Sequence, residues 1–442
     1  MGIGSFSGST RTLSALLMPA AIVACAPMLH AQEDDAYAGE AAERFASVRV
    51  LEGEATVRKF EVEDPLSRGV PVAEGDVVES QGRGVLQLAD GTRIAFGPGT
   101  RFQVASLFAE QDRERQVLLR LDFGRLRLAL GRESDAQLRV DTPSGTALIS
   151  DGAGASLEVE RDRTVRVKVH SGRLRFTNER DQASLRAGER LTVYSDRDRL
   201  DRVQGFNTYW GDAFDTWADR QLAFRRGPGW DKMPAELRYY SDDLDEHGEW
   251  VWVDEYRSWC WRPLRVASDW RPYWRGRWGA YPGGMTWISD EPWGYVTYHH
   301  GRWGWNVGLG WYWIPGITYA PAWVAWHSAD IYFGWAPLGF YNHPVTWGYG
   351  PWHGGYCWNV VEINLIHMPH LHAHTRYDSG VFHHFRPGPT GNRTLSTPWR
   401  QTPLIVNPRE FRNPAEMQRV TQDTRIVEER FRTIETVSYT HL

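Results

Sequence analysis

Apart from one short run near the N-terminus, no stretch of this 442-residue sequence is apolar enough to cross a membrane. The formal net charge of −5, with 24% charged residues, shows no excess of either sign. That balance argues against a nucleic-acid partner and against a solvating acidic arm. Catalytic signatures are missing too: no Gly-x-Ser-x-Gly, no His-Glu-x-x-His and no phosphate-cradling loop. The sequence therefore reads as that of a non-enzyme and calls for no cofactor. Long helical patterns are scarce, whereas 43 glycines and 24 prolines supply turns, which points to a mainly β protein. Its length is too great for one core, so more than one domain is expected.

What is abundant is tryptophan, and it is concentrated. Of 23 tryptophans, 19 lie between Trp250 and Trp358, and they recur in phrases. Arg275-Gly276-Arg277-Trp278 is echoed 25 residues later by His300-Gly301-Arg302-Trp303. Trp261-Arg262-Pro263, Trp287-Ile288-Ser289 and Trp313-Ile314-Pro315 follow at intervals of 26. Such a period marks stacked units that cannot bury their apolar faces alone. Pairs such as Trp250/Trp252, Trp259/Trp261, Trp303/Trp305 and Trp311/Trp313 put both indoles on one face of a strand. Two readings follow. The rings form a structural seam, or they form a platform for sugar rings or prolines, with Trp278, Trp303, Trp313, Arg277 and Arg302 as the binding candidates. The regularity favours the seam.

The N-terminus reads as an export leader. Arg11 precedes the apolar run Leu13 to Ala24, which is too short to span a bilayer. Leu29-His30-Ala31 before Gln32 gives a signal peptide over residues 1–31. Ile22-Val23-Ala24-Cys25 resembles the bacterial lipobox, which gives a lipoprotein signal ending at 24 and makes Cys25 the lipidation candidate. Either reading places the mature chain in the periplasm or anchored at the outer membrane, with membrane contact only through that anchor. In an oxidising compartment the two remaining cysteines, Cys260 and Cys357, form a candidate disulfide; two buried thiols are the alternative.

From residue 45 to about 195 the pattern is strands of period two, such as Val165-Arg-Val167-Lys-Val169. Phe123-Gly124-Arg-Leu-Arg-Leu128 is matched 48 residues on by Ser171-Gly172-Arg-Leu-Arg-Phe176, and more loosely by Leu51-Glu-Gly53. A glycine ahead of an alternating strand suits a bulge or corner between sheet layers. Gly53-Glu-Ala, Gly75-Asp76, Leu88-Ala-Asp90-Gly91-Thr92, Gly124-Arg-Leu126, Thr142-Pro143, Gly172-Arg-Leu174 and Ala187-Gly188-Glu189 together resemble a FecR domain. The resemblance implies a two-layer, solenoid-like β structure. In iron-uptake regulators such a domain follows an anti-sigma segment and a membrane helix and receives a signal from an outer-membrane receptor. This chain has a leader in their place, so direct control of a sigma factor is not expected.

Residues 203–226 carry Phe206, Trp210, Phe214 and Trp217 at helical spacing, which predicts a linker helix packed on a neighbouring domain. The Trp-rich region, 238–360, resembles a Trp-rich domain of unknown function from envelope proteins of Gram-negative bacteria. The resemblance rests on its Gly-Arg-Trp phrases and on Glu291-Pro292-Trp293-Gly294. Asp243-Leu-Asp245-Glu-His247-Gly248 loosely follows a calcium-loop spacing, but reads better as a solvated acidic turn.

Residues 361–442 read as a His-rich segment and then a Pro/polar tail of low order. A short helix is expected after Asn413-Pro414. His370, His372 and His374 alternate and on a strand would share one face, which makes them the metal candidates. With no acid or thiolate beside them in sequence, a solvent-facing strip is the better reading. The last six residues, Val437 to Leu442, can be back-translated to a sequence that resembles a common transposase adapter read in frame, and carry no fold expectation.

The expected function is non-catalytic binding or scaffolding at the cell envelope, with an envelope protein or cell-wall glycan as partner. A glycan- or peptidoglycan-binding module is the second reading, and a hydrolase of envelope polymers the rival from another class.

Overall fold

The structure is a computed structural model that describes residues 45–376 with short internal gaps, together with Val381 and Leu395–Ser396. The leader with Cys25, Trp210, His367, His383-His384 and the tail beyond 396 lie outside the described residues.

The chain is mainly β, with a helix between two β regions. From Phe45–Glu52 to Gln204–Gly205, fifteen strands join in one hydrogen-bonded sheet. Alternation dictates its core. In Val165–Thr177 the valines of the first half, then Leu174 and Phe176, face inward, while Arg166, Arg173 and Arg175 face out. They join Phe96, Phe102 and many valines and leucines in one cluster.

The echoed glycines sit inside long strands, where the chain changes partners. Val165 to Val169 pairs with Glu189–Val193, whereas Arg173 to Thr177 pairs with Gln182–Arg186. Gly172 between them has φ +71°, and a Cβ there would lie 2.5 Å from the Ala153 Cβ. Gly124 has φ +95°, with Thr100 Cα 2.4 Å from where its Cβ would be. Only glycine fits corners that are both left-handed and this crowded.

The linker carries helix α1, Ala213–Leu222, capped by Asp212, whose side chain accepts from Asp215 N. Phe214, Trp217, Ala218 and Leu222 lie on Val85 and Ala95 of the sheet's outer face. Of the described residues in the expected helix over 203–226, only Ala213–Leu222 is helical; Gln204–Gly205 adds a strand to the sheet, and Phe206 beside it meets the His170 ring, so the packing stripe is Phe214, Trp217, Ala218 and Leu222.

Beyond it come α2, Ser241–His247, and α3, Gly294–His299. The Trp-rich strands make four hairpins, distributed over three sheets rather than stacked in one ladder. Each contributes indoles to a shared aromatic cluster. Burial of tryptophan faces against one another thus replaces edge-to-edge stacking.

Candidate functional site

Every hairpin of the Trp-rich region places two tryptophans directly opposite: Trp250–Trp261, Trp278–Trp287, Trp303–Trp313 and Trp326–Trp335. The last is a fourth copy, closed by Trp335-Ala336-Pro337. A glycine precedes the first Trp by two residues in three hairpins, and the partner strand's indole lies over it. A Cβ on Gly248, Gly276 or Gly301 would approach the ring of Trp261, Trp287 or Trp313 to 2.3, 2.8 and 2.8 Å. The Gly-x-Trp phrase is therefore a packing rule, in which an aromatic covers a strand glycine. Val324 takes that place in the fourth hairpin.

The binding candidates among these rings are interior. Trp278, Trp303 and Trp313 are 3%, 1% and 0% exposed. Trp313 donates to His300 O at 2.7 Å and Trp303 to Thr297 O at 3.0 Å. Trp278 packs against Trp326 with ring centres 4.4 Å apart and planes tilted by 49°. Arg302 lies over the Trp323 ring at 3.3 Å, and Arg277 donates to Ser67 of the first domain. The three tryptophan rings therefore present no stacking face to solution, Arg302 is engaged by Trp323, and Arg277 stays half-buried at the domain boundary.

A different pair is exposed. Trp252 and Trp259 face each other across the first hairpin, 49% and 37% exposed, with ring centres 5.7 Å apart and nearly perpendicular. Lys232 Nζ sits 4.5 Å from the Trp259 ring centre, and Asp254 accepts from the Trp252 indole. Alternation could not separate this pair from Trp250 and Trp261, which share its face. The available signal was nearness to the polar turn at Asp254-Glu255-Tyr256-Arg257.

The junction between the domains is ionic and buried. Arg93 is 1% exposed in its side chain and meets Asp242 at 2.7 Å. Arg49 meets Asp242 at 3.0 Å and Asp243 at 2.7 Å. The same guanidinium groups donate to carbonyls at the C-terminal end of α1, Arg93 to Ala223 O and Arg49 to Gln221 O. Cations thus complement one helix's C-terminus while two carboxylates occupy the first turn of α2. Toward the start of α1, Arg125 pairs with Asp212 and Asp215, and Arg127 with Asp219. Apolar contacts continue the junction: Ile288 enters the first domain's core, and Phe45 stacks on Tyr319 at 5.6 Å. Asp243 and Asp245 of the calcium-like spacing are used internally, Asp245 accepting from Gly229 N and the Trp250 indole.

Glu291 of the Glu-Pro-Trp-Gly phrase is buried and accepts from Trp270 Nε1 at 2.6 Å, Tyr298 OH at 2.7 Å and Ser289 Oγ at 2.8 Å. Burial among neutral donors raises its carboxyl to about 7. It ties three segments of the aromatic core together.

The metal candidates do not lie on a strand. His370 has φ +52° and opens a 3-10 turn, Leu371–Ala373, because Leu371 is drawn fully into the core. His370 contacts Asp290 at 2.8 Å, His372 turns toward the Trp274 ring, and no cluster able to hold a metal ion occurs among the described residues. Cys260 and Cys357 are free and buried, in different clusters. Burial pushes both thiols up to about 12. The disulfide is therefore not formed, since each thiol packs among its own apolar neighbours.

Residues 76–175 match the family FecR protein, and residues 241–343 match a family of unknown function, DUF6600. A FecR match is thus followed by a DUF6600 match, in the order that the sequence resemblances imply. Solved structures of a "putative anti-sigma factor" from Parabacteroides distasonis share 14% and 17% identity with it. The overlaps cover 29% and 37% of this chain and 58% and 73% of those chains, each with a TM-score of 0.26. The chain thus spans under two thirds of the first of them. No curated protein matches the chain.

Proposed function

We propose that this protein is a non-catalytic binding or scaffolding component of the cell envelope, exported to the periplasm or held at the outer membrane. The observation that carries the reading is the buried junction of Arg49 and Arg93 with Asp242 and Asp243. Together with the interior placement of the repeat tryptophans, it describes a body built for rigidity. The FecR match supports an envelope setting, and no helix among the described residues is long and apolar enough to cross a membrane.

A second reading, binding of cell-wall glycan, is favoured by Trp252 and Trp259, whose exposed rings offer stacking faces. One experiment separates the readings. The purified full chain is incubated with peptidoglycan sacculi, then sedimented and assayed for soluble fragments, in parallel with fractionation of the cells. Scaffolding predicts envelope localisation and no sedimentation with sacculi. Glycan binding predicts sedimentation that Trp252→Ala/Trp259→Ala abolishes. Release of fragments would make it a hydrolase and overturn both, and an unprocessed cytoplasmic chain would overturn the envelope reading.

A further inference from the structure

One strip of the FecR-type sheet's outer face is rich in arginine. Register fixes which side chains share it. Arg186 pairs with Arg173, and Arg173 with Ser150, on adjacent strands. Arg175 pairs with Leu148, Leu148 with Arg139, and Arg139 with Leu118. Asp141, two residues from Arg139, pairs with Arg120. All these residues alternate with buried ones, Leu174, Leu185, Ile149, Leu138 and Leu119, so they stand on the outer side. Along this strip the outward positions hold five arginines and the carboxylate Asp141, with a second carboxylate, Asp122, two residues beyond Arg120 on the same face.

Both carboxylates are already committed, Asp141 to Arg139 at 2.8 Å and Asp122 to Arg101 at 3.0 Å. Arg101, on the next strand, is met by Glu79 and Asp122. Arg120 donates to Gln103 Oε1, a neutral acceptor. Arg173, Arg175 and Arg186 are exposed; none of their guanidinium groups is in an ion pair among the described residues, although Glu189 accepts from the Arg186 backbone N–H at 2.7 Å. The directly opposed Arg173–Arg186 pair destabilises the sheet by like-charge repulsion. Nearest-neighbour strands lie about 4.8 Å apart, so the strip is about 19 Å long. Its surface is a sheet face, with half-buried Leu118 and Leu148 between the cations. A flat array of separated guanidinium groups matches many phosphates in a plane better than one phosphate in a pocket.

We propose that this arginine face docks on the phosphate-bearing headgroups of an anionic membrane surface. The surface is separate from the Trp252–Trp259 pair, and its failure would leave the scaffolding reading standing. Docking would relieve the Arg173–Arg186 repulsion and orient the sheet flat on the membrane, with the arginines as phosphate donors.

The test uses the full chain carrying Cys25→Ala, so that no acyl chain contributes. It is sedimented with vesicles of phosphatidylcholine alone and of phosphatidylcholine with phosphatidylglycerol. Binding to the anionic vesicles only, weakened by salt, is expected. Arg173→Gln/Arg186→Gln should weaken it about 30-fold, at about fivefold per arginine, with an unchanged circular dichroism spectrum. Arg166→Gln, already paired with Glu160 and on another part of the sheet, should leave binding unchanged. Equal binding to neutral vesicles would overturn the proposal, as would no binding to either. So would preferential capture of soluble polyphosphate without vesicle sedimentation, which would make the face a site for free phosphate.

Discussion

Four buried groups of the Trp-rich region carry large, opposed responses to pH. Glu291 is raised to about 7, while burial lowers His299 to about 4, His300 to about 3 and His327 to about 4. The signs oppose. Between pH 4.5 and 7 the folded carboxyl keeps a proton that the unfolded one has lost, so its contribution falls as pH rises. Below pH 6.5 the unfolded imidazoles take protons that the folded ones refuse, so theirs is lost as pH falls. Each group contributes up to about 1.4 kcal/mol per pH unit, and three imidazoles outweigh one carboxyl between pH 4.5 and 6.5. The melting temperature, followed by tryptophan fluorescence, should therefore fall on acidification from 6.5 to 4.5. Glu291→Gln should steepen that fall by removing an opposing slope. A melting temperature that rises on acidification would refute the assignment. None of this was legible in the sequence. Glu291 stood out only as part of a phrase, and its donors Trp270 and Tyr298 are brought to it by the fold.

At the scale of elements, the hairpin with its opposed indoles is the unit of stability. Trp278→Ala and Trp303→Ala should each cost about 3–5 kcal/mol in urea denaturation, with loss of blue-shifted emission. Trp252→Ala and Trp259→Ala, at the exposed end of the first hairpin, should cost under about 1 kcal/mol. Equal costs at both sites would remove the distinction between core and surface rings. Much of this level could be read beforehand. Gly124 and Gly172 announced corners because a glycine interrupts an otherwise alternating run, and the parity of Trp303/Trp305 fixed which rings share a face. Depth was not readable, because period two gives the same signal for a ring at a hairpin's base and at its tip. The histidine turn was missed for a related reason. His370-Leu-His372-Ala-His374 alternates like a strand, but Leu371 is fully buried and the chain curls to place it there.

At the scale of the molecule, the junction decides whether two domains behave as one. Its partners, Arg93 and Asp242, lie 149 residues apart, and no local pattern pairs them. Separating such a buried pair costs about 3–5 kcal/mol, because the remaining charge stays buried without its partner. Residues 45–195 contain no tryptophan, so indole fluorescence reports the Trp-rich region and α1, while far-UV circular dichroism also reports the fifteen-stranded sheet. Urea unfolding of the full chain followed by both probes is the most direct test of a single rigid body. The two transitions should coincide in the natural protein and separate in Arg49→Ala/Arg93→Ala, with the fluorescence transition moving to lower urea. Transitions already separate in the natural protein, or still coincident and unshifted in the double variant, would contradict the junction's role.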